Sequence, residues 1–325
     1  MMENKMNEKM IAGILGFAVG DALGVPVEFL SREELKRNPV KDMMGYGSHP
    51  VPDGTWSDDT SLMIAAMDSI NEKNGIDYYD IMHKFAEWTD FAKYTATGKF
   101  FDIGISTNKA IWNYKRGIEP TNCGSKGFNE NGNGSLMRIL PFVYYAKMQG
   151  YNNDEQTILI NQASSLTHAH EISRLGCKIY NDYIFMILNN VDKKDALLQL
   201  SKNNYSKYYS SEAIEKYKRI LDGALLNLKE DDIKSSGYIV DSLEASLWCT
   251  VNSMNYEEAV LKAVNLGEDT DTIAAITGSM NGIIYGSNSI PNKWIKKLRG
   301  KDYLDDISNR FINVINGNSK KALSY

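Results

Sequence analysis

The sequence is poor in cysteine and has no excess of positive charge. Its 325 residues contain three cysteines, which are odd in number and widely spaced, so neither a disulfide framework nor a thiolate zinc site is indicated. The net charge of -5 argues against a broad basic surface for nucleic acid or anionic membranes, although a small phosphorylated ligand is compatible with it. We therefore expect a protein of the reducing cytoplasm that does not bind nucleic acid.

An uninterrupted apolar run of membrane-spanning length is also missing. Residues 11–29 are the most apolar stretch near the N-terminus, but Asp21 and Glu28 interrupt them. The stretch falls short of the roughly 20 apolar residues that a membrane span needs. Glu3 and Glu8 precede it and no cleavage site follows it, so neither a membrane anchor nor a signal peptide is expected.

The alternating pattern of β-strands is almost absent, and the turn signals are spaced for helices. No linker, charge block or repeat of fixed period divides the chain, and 43% hydrophobic residues suffice for a sizeable core. The sequence therefore predicts one all-α domain over residues 1–325, with its core at about residues 8–316.

Apolar residues of helical period locate the helices. The first, over about residues 11–23, is rich in small residues and predicts a buried helix that packs closely on its neighbours, and Gly24 and Pro26 end it. Residues 31–56 contain several glycines and prolines and predict a loop. Two further helices are predicted at about 60–73 and 78–96, one ends at about residue 115, and one begins at residue 135. The others are predicted at about 153–166, 171–189, 192–202, 212–229, 237–248, 256–265, 271–285, 291–299 and 303–316.

Two short acidic stretches lie far apart in the chain but share one pattern. Each has a hydroxyl and two carboxylates directly before an apolar run of helical period, which places both at helix N-termini. Their members are Ser57, Asp58 and Asp59 in the first stretch, and Asp269, Asp271 and Thr272 in the second.

Capping of a helix explains one such carboxylate or hydroxyl without any function. It does not explain a surplus, because buried like charges repel each other and lose their hydration unless a cation neutralises them. A set of oxygen ligands is what Mg²⁺ or Mn²⁺ selects. Capping and metal binding are both open for either stretch alone, and the recurrence of the pattern favours the metal.

Two further carboxylates are candidates for chemistry. Glu28 lies among apolar residues just after the first helix, as a rim carboxylate or as a general acid or base. Asp102, two residues before Gly104, either caps a helix or lies where a ligand approaches the backbone closely.

Two loops offer contacts for an anionic ligand. Residues 121–134 are rich in glycine and asparagine and precede a helix, which suits a diphosphate at the helix N-terminus, although a flexible linker has the same composition. His168 and His170 lie two residues apart and do not share a helix face, so a zinc pair is not indicated. Two alternatives remain for these histidines. Either one of the two rings contacts a substrate, or they cap a helix or lie exposed at the surface.

Six motifs in this order carry a resemblance to a known family. They are residues 20–29 (GDALGVPVEF), 56–60 (WSDDT), 133–138 (NGSLMR), 167–168 (TH), 237–245 (GYIVDSLEA) and 267–275 (GEDTDTIAA). Together they resemble the ADP-ribosylglycohydrolase family, over about residues 11–300. That resemblance implies an all-α fold with a binuclear Mg²⁺ or Mn²⁺ centre in a cleft.

The resemblance also implies roles for individual residues. The implied metal ligands are Ser57, Asp58, Asp59, Asp269, Asp271 and Thr272, with Ser57 where many members have threonine. The implied catalytic residues are Glu28 and Asp59. The implied contacts of ADP-ribose are Asp102, Gly104, Asn131, Gly132, Asn133, Gly134, His168 and Tyr238, and the 129–132 loop departs from some members' pattern.

The implied activity is hydrolysis of the bond between ADP-ribose and a modified target, most often arginine on a protein, with ADP-ribose as product. Such cleavage passes through an oxocarbenium-like state, which two metals and a proton-transferring carboxylate can assist. A non-catalytic ADP-ribose-binding relative, a different ADP-ribosyl linkage and a metal-dependent phosphoesterase are the alternatives. Retention of Glu28 and of the implied ligands disfavours the first, and the six motifs disfavour the last. A monomer is expected.

Overall fold

Helices joined by short loops and 3₁₀ turns build the protein. The computed structural model describes residues 2–322, and within this range no β-strand forms beyond two isolated bridges, Ser125–His168 and Gly132–Tyr238. The α-helices are α1 (Met2–Gly24), α2 (Arg32–Arg37), α3 (Asp58–Lys73), α4 (Tyr78–Phe91), α5 (Ile105–Lys115), α6 (Leu140–Met148), α7 (Asn153–Ser165), α8 (Glu171–Leu188), α9 (Lys193–Gln199), α10 (Ser211–Lys216), α11 (Lys218–Leu221), α12 (Ile239–Val251), α13 (Tyr256–Val264), α14 (Thr270–Tyr285), α15 (Asn292–Lys297) and α16 (Lys301–Ala322). The predicted all-α fold is confirmed.

Helices α1 and α14 run antiparallel at the centre, and their backbones nearly touch. A side-chain carbon added to Gly16 would lie 2.4 Å from the carbonyl oxygen of Gly278, and one added to Gly20 would lie 2.1 Å from that of Ala274. Only glycine fits at such distances. The close packing brings the C-terminal end of α1 against the N-terminal end of α14, where Gly24 meets Asp271.

Helix α1 is long and apolar enough to cross a membrane by length and composition alone, over residues Asn4–Val27. In the structure 94% of its most apolar 18-residue window is buried inside the protein. Buried apolar surface explains that composition, since a central helix must be hydrophobic on all sides. Helix α1 is a core helix here.

The side chain of Asp21 fixes the start of α3 to the end of α1. Its Oδ1 accepts a hydrogen bond from the Ser57 N–H (2.9 Å), and its Oδ2 accepts from the N–H (3.1 Å) and the hydroxyl (2.6 Å) of Thr60. The first N–H groups of a helix lack partners within the helix, so a carboxylate from another element stabilises them. The end of α1 and the starts of α3 and α14 therefore meet at one place.

The predicted helix boundaries fail in several segments. The helix predicted at 78–96 ends at Phe91, where Ala92 adopts a left-handed φ of 53°. The predicted loop at 31–56 contains the short helix α2, because Ser31 and Glu34 form a reciprocal capping box. The predicted helix at 212–229 is broken into α10, α11 and a 3₁₀ turn, and Gly223 adopts a positive φ of 76° at the break. The 31–56 segment nevertheless belongs to the meeting point of the three helices, because its loop packs against the end of α1.

Candidate active site

A cleft of about 640 Å³ opens where α1, α3 and α14 meet. It gathers residues from most of the chain, separated by up to 244 positions. The sequence-predicted residues that line it are Glu28, Asp58, Asp59, Asp102, Gly104, Gly132, Asn133, Gly134, His168, Asp269, Asp271 and Thr272. The two acidic stretches thus lie in one cleft.

Three predicted residues lie beside the cleft. Ser57 is the N-cap of α3, and its hydroxyl accepts from the Asp59 N–H at 3.2 Å. Asn131 and Tyr238 line, with Gly132, an adjoining hollow of about 460 Å³. The Asn131 side chain bonds the Phe128 carbonyl and the Ser173 hydroxyl, so it holds the loop in shape.

The carboxylates of the two acidic stretches lie close to one another, and all are buried except the half-buried Asp269. Asp58 is 5% exposed and Asp59 is 1% exposed. Burial raises the pKa of Asp58, Asp59 and Asp271 well above the usual value, and neighbouring carboxylates raise it further. Burial also raises the pKa of Asp269, while hydrogen bonds from its neighbours lower it. The protein by itself does not compensate this concentration of negative charge.

Two geometric observations fit a cation at this place. The buried Oδ2 of Asp59 has no hydrogen-bond partner among the described residues. Carboxylate oxygens of Glu28, Asp269 and Asp271 can all lie within 4.8 Å of one another. Buried unpaired carboxylate oxygens are costly, and a hard divalent cation prefers such oxygen ligands.

Asn133 orients one of these carboxylates. Its amide nitrogen donates to Asp269 Oδ2 at 2.7 Å and to Ser242 Oγ at 2.9 Å. Its backbone N–H donates to the Gly237 carbonyl at 3.0 Å. The sequence places Asn133 among the ligand contacts, and the structure adds this second task.

Glu28 lies beside a histidine that the sequence reasoning missed. Glu28 Oε2 and His49 Nε2 are 2.6 Å apart. Burial raises the pKa of Glu28 to about 7, against the lowering effect of its hydrogen bond to His49, and the hydrogen bond raises the pKa of His49. A carboxyl group with a pKa near neutrality can both give and take a proton at neutral pH.

His49 reaches Glu28 because its loop packs tightly against the end of α1. The Ser48 N–H donates to the Pro26 carbonyl at 2.8 Å, and a side-chain carbon on Gly47 would lie 1.8 Å from the same oxygen. The His49 ring lies 5.2 Å from the Phe101 ring, centroid to centroid. A lone histidine in a loop rich in glycine and proline was the only sequence signal for this contact.

Asp102 joins the same group of side chains and does not cap α5. The N-cap of α5 is Gly104, whereas Asp102 has a left-handed φ of 56° and its side-chain oxygen can lie within 4.8 Å of Glu28 and His49 ligand atoms. A left-handed aspartate is uncommon and is retained at functional sites more often than elsewhere. The capping alternative for Asp102 is therefore wrong.

The two histidines of the 167–170 segment differ in environment. His170 is the N-cap of α8, and its Nδ1 accepts from the Ile172 N–H at 3.3 Å. His168 is 2% exposed, and its ring lines the cleft. Of the two predicted alternatives, capping describes His170, and contact with the cleft describes His168.

Comparison with known proteins identifies the fold and its chemistry. The family model for ADP-ribosylglycohydrolase matches residues 2–321. The chain belongs to the ADP-ribosylglycohydrolase family. Its members are hydrolases, and the enzyme class expected from the six motifs is confirmed.

Relatives of this glycohydrolase include two bacterial enzymes. The ADP-ribosylarginine hydrolase Tri1 of Pseudomonas putida (strain GB-1) is 30% identical over 296 residues, covering 91% of this chain and 75% of the relative. The ADP-ribosyl-dinitrogen reductase glycohydrolase of Rhodospirillum rubrum is 27% identical over 295 residues, covering 90% of this chain and 91% of the relative. A solved structure described as an ADP-ribosylglycohydrolase-related protein complex aligns with a TM-score of 0.81 and 26% identity, covering 96% of this chain and 99% of that chain.

One residue that helps to position the α3 side of the glycohydrolase's cleft carries no implied role in the family motifs. Asp21 reads in the sequence as an interruption of an apolar stretch, yet it is fully buried and bonds the start of α3. The only signal for it was a carboxylate on an otherwise apolar helix, which is rarely buried without a partner.

Proposed function

We propose that this glycohydrolase hydrolyses the bond between ADP-ribose and an arginine side chain of a modified protein and releases ADP-ribose. The observation that carries the proposal is the arrangement of one cleft, in which the buried carboxyl group of Glu28 lies beside three buried aspartates and the half-buried Asp269. The Pseudomonas relative, an ADP-ribosylarginine hydrolase, supports the arginine linkage, and the Rhodospirillum relative, which acts on ADP-ribosyl-dinitrogen reductase, supports a protein target.

We propose that two Mg²⁺ or Mn²⁺ ions bind in the cleft, held by Ser57, Asp58, Asp59, Asp269, Asp271 and Thr272. The unpartnered Asp59 Oδ2 and the mutual repulsion of the buried aspartates support this assignment. When bound, the ions would neutralise the carboxylates, orient the ribose hydroxyls and make a water molecule more acidic. Asn133 holds Asp269 in place for this purpose through its amide hydrogen bond.

The protein's own residues supply the proton transfer. Glu28 keeps Oε2 on His49 Nε2, so Oε1 is the oxygen that exchanges a proton. Glu28 Oε1 takes a proton from the attacking water, and the water oxygen bonds to the ribose carbon as the bond from that carbon to the guanidino nitrogen breaks. Glu28 then gives the proton to this nitrogen, and the free arginine side chain leaves. The carboxyl group is buried and fixed by His49, so it is held in place to give and take that proton.

A cleft carboxylate outside the proposed metal ligands favours the transition state. Glycoside hydrolysis develops positive charge on the sugar ring, and carboxylates held nearby stabilise that charge more than they stabilise the ground state. Asp102 lies at the Glu28 side of the cleft and contributes such a charge. Gly132 and Gly134 also line the cleft, and the remainder of ADP-ribose would lie beside them.

We also propose that the protein works as a monomer in the bacterial cytoplasm. The two bacterial relatives and the three buried, unpaired cysteines support this setting. Its macromolecular partner would be the ADP-ribosylated protein alone.

The decisive test offers the purified protein matched peptides that carry ADP-ribose on arginine or on serine. With Mg²⁺ or Mn²⁺ present, we expect release of ADP-ribose from the arginine peptide and little from the serine peptide. Preference for serine would reassign the linkage. Binding of ADP-ribose without cleavage of either peptide would favour a non-catalytic ADP-ribose-binding protein.

Glu28→Gln separates binding from chemistry in the same assay. The substitution keeps shape and removes the ionisable group, so turnover should fall by about 10² to 10⁴-fold while metal content and ADP-ribose affinity persist. The exposed Glu33→Gln is the matched control. Unchanged turnover in Glu28→Gln would remove Glu28 from the mechanism, and loss of metal with loss of affinity would make it part of the site's structure.

A further inference from the structure

Arg138 is a fully buried cation, and its Nε and Nη1 atoms have no hydrogen-bond partner among the described residues. Its Nη2 donates to the Thr167 hydroxyl at 2.6 Å and to the Ala163 carbonyl at 3.1 Å, and its guanidinium carbon lies 5.1 Å from the centre of the Phe85 ring. Burial lowers the pKa of Arg138 to about 10, so the side chain is charged at neutral pH. A buried charge with unpaired donors is costly, which calls for a function that a neutral residue cannot serve.

The direction of the hydrogen bonds from Arg138 follows from elementary chemistry. A guanidinium group only donates, so Thr167 Oγ1 accepts from Arg138. The single hydroxyl proton of Thr167 is then free to donate, and His168 Nδ1, at 2.9 Å, is the acceptor within reach among residues 2–322. Thr167 Oγ1 has a second lone pair that could accept from a protonated Nδ1, but the hydroxyl proton would then be buried without a partner. Pairing of that proton favours an unprotonated Nδ1 and the ring proton on Nε2.

The other ring nitrogen of His168, Nε2, faces the cleft. His168 lines the cleft, and its Nε2 makes no hydrogen bond within the described chain. Burial, with the charge of Arg138, lowers the pKa of His168 to about 3, so the ring stays neutral and keeps one N–H. The ring presents a single donor of fixed direction.

A second unpartnered polar group lies beside this donor. Thr107 is 1% exposed and lines the cleft, and its hydroxyl has no partner among the described residues. A side-chain carbon on Gly134 would lie 2.8 Å from His168 Cε1 and 2.9 Å from Thr107 Oγ1, so ring and hydroxyl flank the same glycine. Two polar groups without protein partners at one point of a cleft wall fit a ligand oxygen.

We propose that Arg138 is a positioning residue, which acts through the Thr167 hydroxyl to hold His168 as an Nε2–H donor to a phosphate oxygen of the bound ADP-ribose. Thr107 contributes its hydroxyl to the same oxygen. The proposal rests on the proposed function for its ligand. The protonation pattern of His168 is a property of the free protein and does not depend on which linkage is cleaved.

Thr167 offers a cleaner test than Arg138, whose replacement could unfold the protein. Thr167→Val keeps the shape and removes the hydroxyl, whereas Thr167→Ser keeps the hydroxyl. Nitrogen NMR of histidine-labelled protein can report the tautomer of each of the four histidines, assigned by single replacements. Calorimetry with ADP-ribose measures affinity, and melting temperature reports folding.

We expect wild type and Thr167→Ser to have His168 protonated at Nε2 alone. Thr167→Val should show a mixture of tautomers and bind ADP-ribose about 10- to 100-fold more weakly, with a melting temperature near that of wild type. In a His168→Gln background, whose amide supplies an N–H without help from Thr167, the further substitution Thr167→Val should cost little more affinity.

Protonation of Nδ1 in the wild type would overturn the proposal, and so would an unchanged tautomer and affinity in Thr167→Val. An equal loss of affinity on adding Thr167→Val in the His168→Gln background would also overturn it, because the effect would then be structural. If neither ADP-ribosyl peptide is cleaved but the tautomer and affinity results hold, the proposed activity fails and this inference stands.

Discussion

The two acidic helix starts look alike in sequence but are built differently. At α3, Ser57 and Asp21 bond the first N–H groups, so Asp58 and Asp59 are not needed as caps. At α14, the N-cap Asp269 makes no capping hydrogen bond, and its carboxylate accepts from Asn133. Asp271 Oδ1 accepts from the adjacent Thr272 N–H at 2.8 Å. Each helix start still carries more carboxylate oxygens than capping uses, and different neighbours satisfy the N–H groups in the two helices.

That difference explains why local sequence could not separate capping from metal binding. A capping carboxylate and a surplus carboxylate have the same sequence signature at a helix start. The deciding residue for α3 is Asp21, 36 positions before Ser57, and for α14 it is Asn133, 136 positions before Asp269. The comparison can therefore be tested by changing the surplus carboxylates, and by changing the residues whose hydrogen bonds leave those carboxylates free of a capping role.

The largest expected effect comes from neutralising one surplus carboxylate in each half. Asp59→Asn on α3 and Asp271→Asn on α14 should each reduce metal content and lower turnover at least about 100-fold, because both halves hold one centre. Without metal, both variants should melt no lower than metal-free wild type, since each loses a buried repelling charge.

Metal analysis, turnover and melting curves measure these effects, with the exposed Asp302→Asn as control. Full metal content and turnover in both variants would contradict the site assignment. Loss in only one variant would mean that the two halves do not form one centre.

The next effect compares the residues that fix the two helix starts. Asp21→Asn places an amide N–H against the donors of Thr60 and should lower the free energy of unfolding by about 2 kcal/mol. Thr270→Val on α14 removes one hydroxyl bond to the Gly24 carbonyl, 2.8 Å in length, and should cost about 1 kcal/mol.

Urea unfolding in the presence of Mg²⁺ measures both values. Asp21→Asn should also lower turnover, because Asp58 and Asp59 lose their fixed backbone. Equal costs for the two variants, with no change in turnover for Asp21→Asn, would show that the α3 start does not depend on Asp21.

The smallest effect is a dependence of stability on pH. The folded-state pKa values of Asp21 (about 6) and Glu28 (about 7) are raised chiefly by burial, as are those of the cleft aspartates. The folded metal-free protein therefore binds more protons than the unfolded chain above about pH 4, and it loses stability as pH rises through 6 and 7.

Bound cations offset this repulsion, so Mg²⁺ or Mn²⁺ should raise the melting temperature more at pH 8 than at pH 5, and EDTA should reverse the gain. Melting curves at the two pH values, with and without metal, give the comparison. A metal-free protein that becomes more stable between pH 5 and 8, or one that gains nothing from either metal, would contradict the buried-charge description of both helix starts.

Much of the fold and of the candidate site could be predicted from local pattern. The helical period located the long helices. The capping box of Ser31 and Glu34 is also a local signal, and it could have predicted helix α2 where a loop was predicted. The order of six motifs indicated the family, which the family model confirms. The His49 contact with Glu28 could not be predicted, because nothing local relates a loop histidine to a carboxylate 21 positions earlier.

The sequence by itself determined the helices, the family and the two surplus acidic stretches, because period, caps and motifs depend on neighbouring residues. Tertiary structure alone decided that these stretches share one cleft. Glycines let α1 and α14 approach until their backbones touch, and Asp21 then fixes α3 at the same end. Such contacts depend on shape across the whole fold, and no local pattern specifies them.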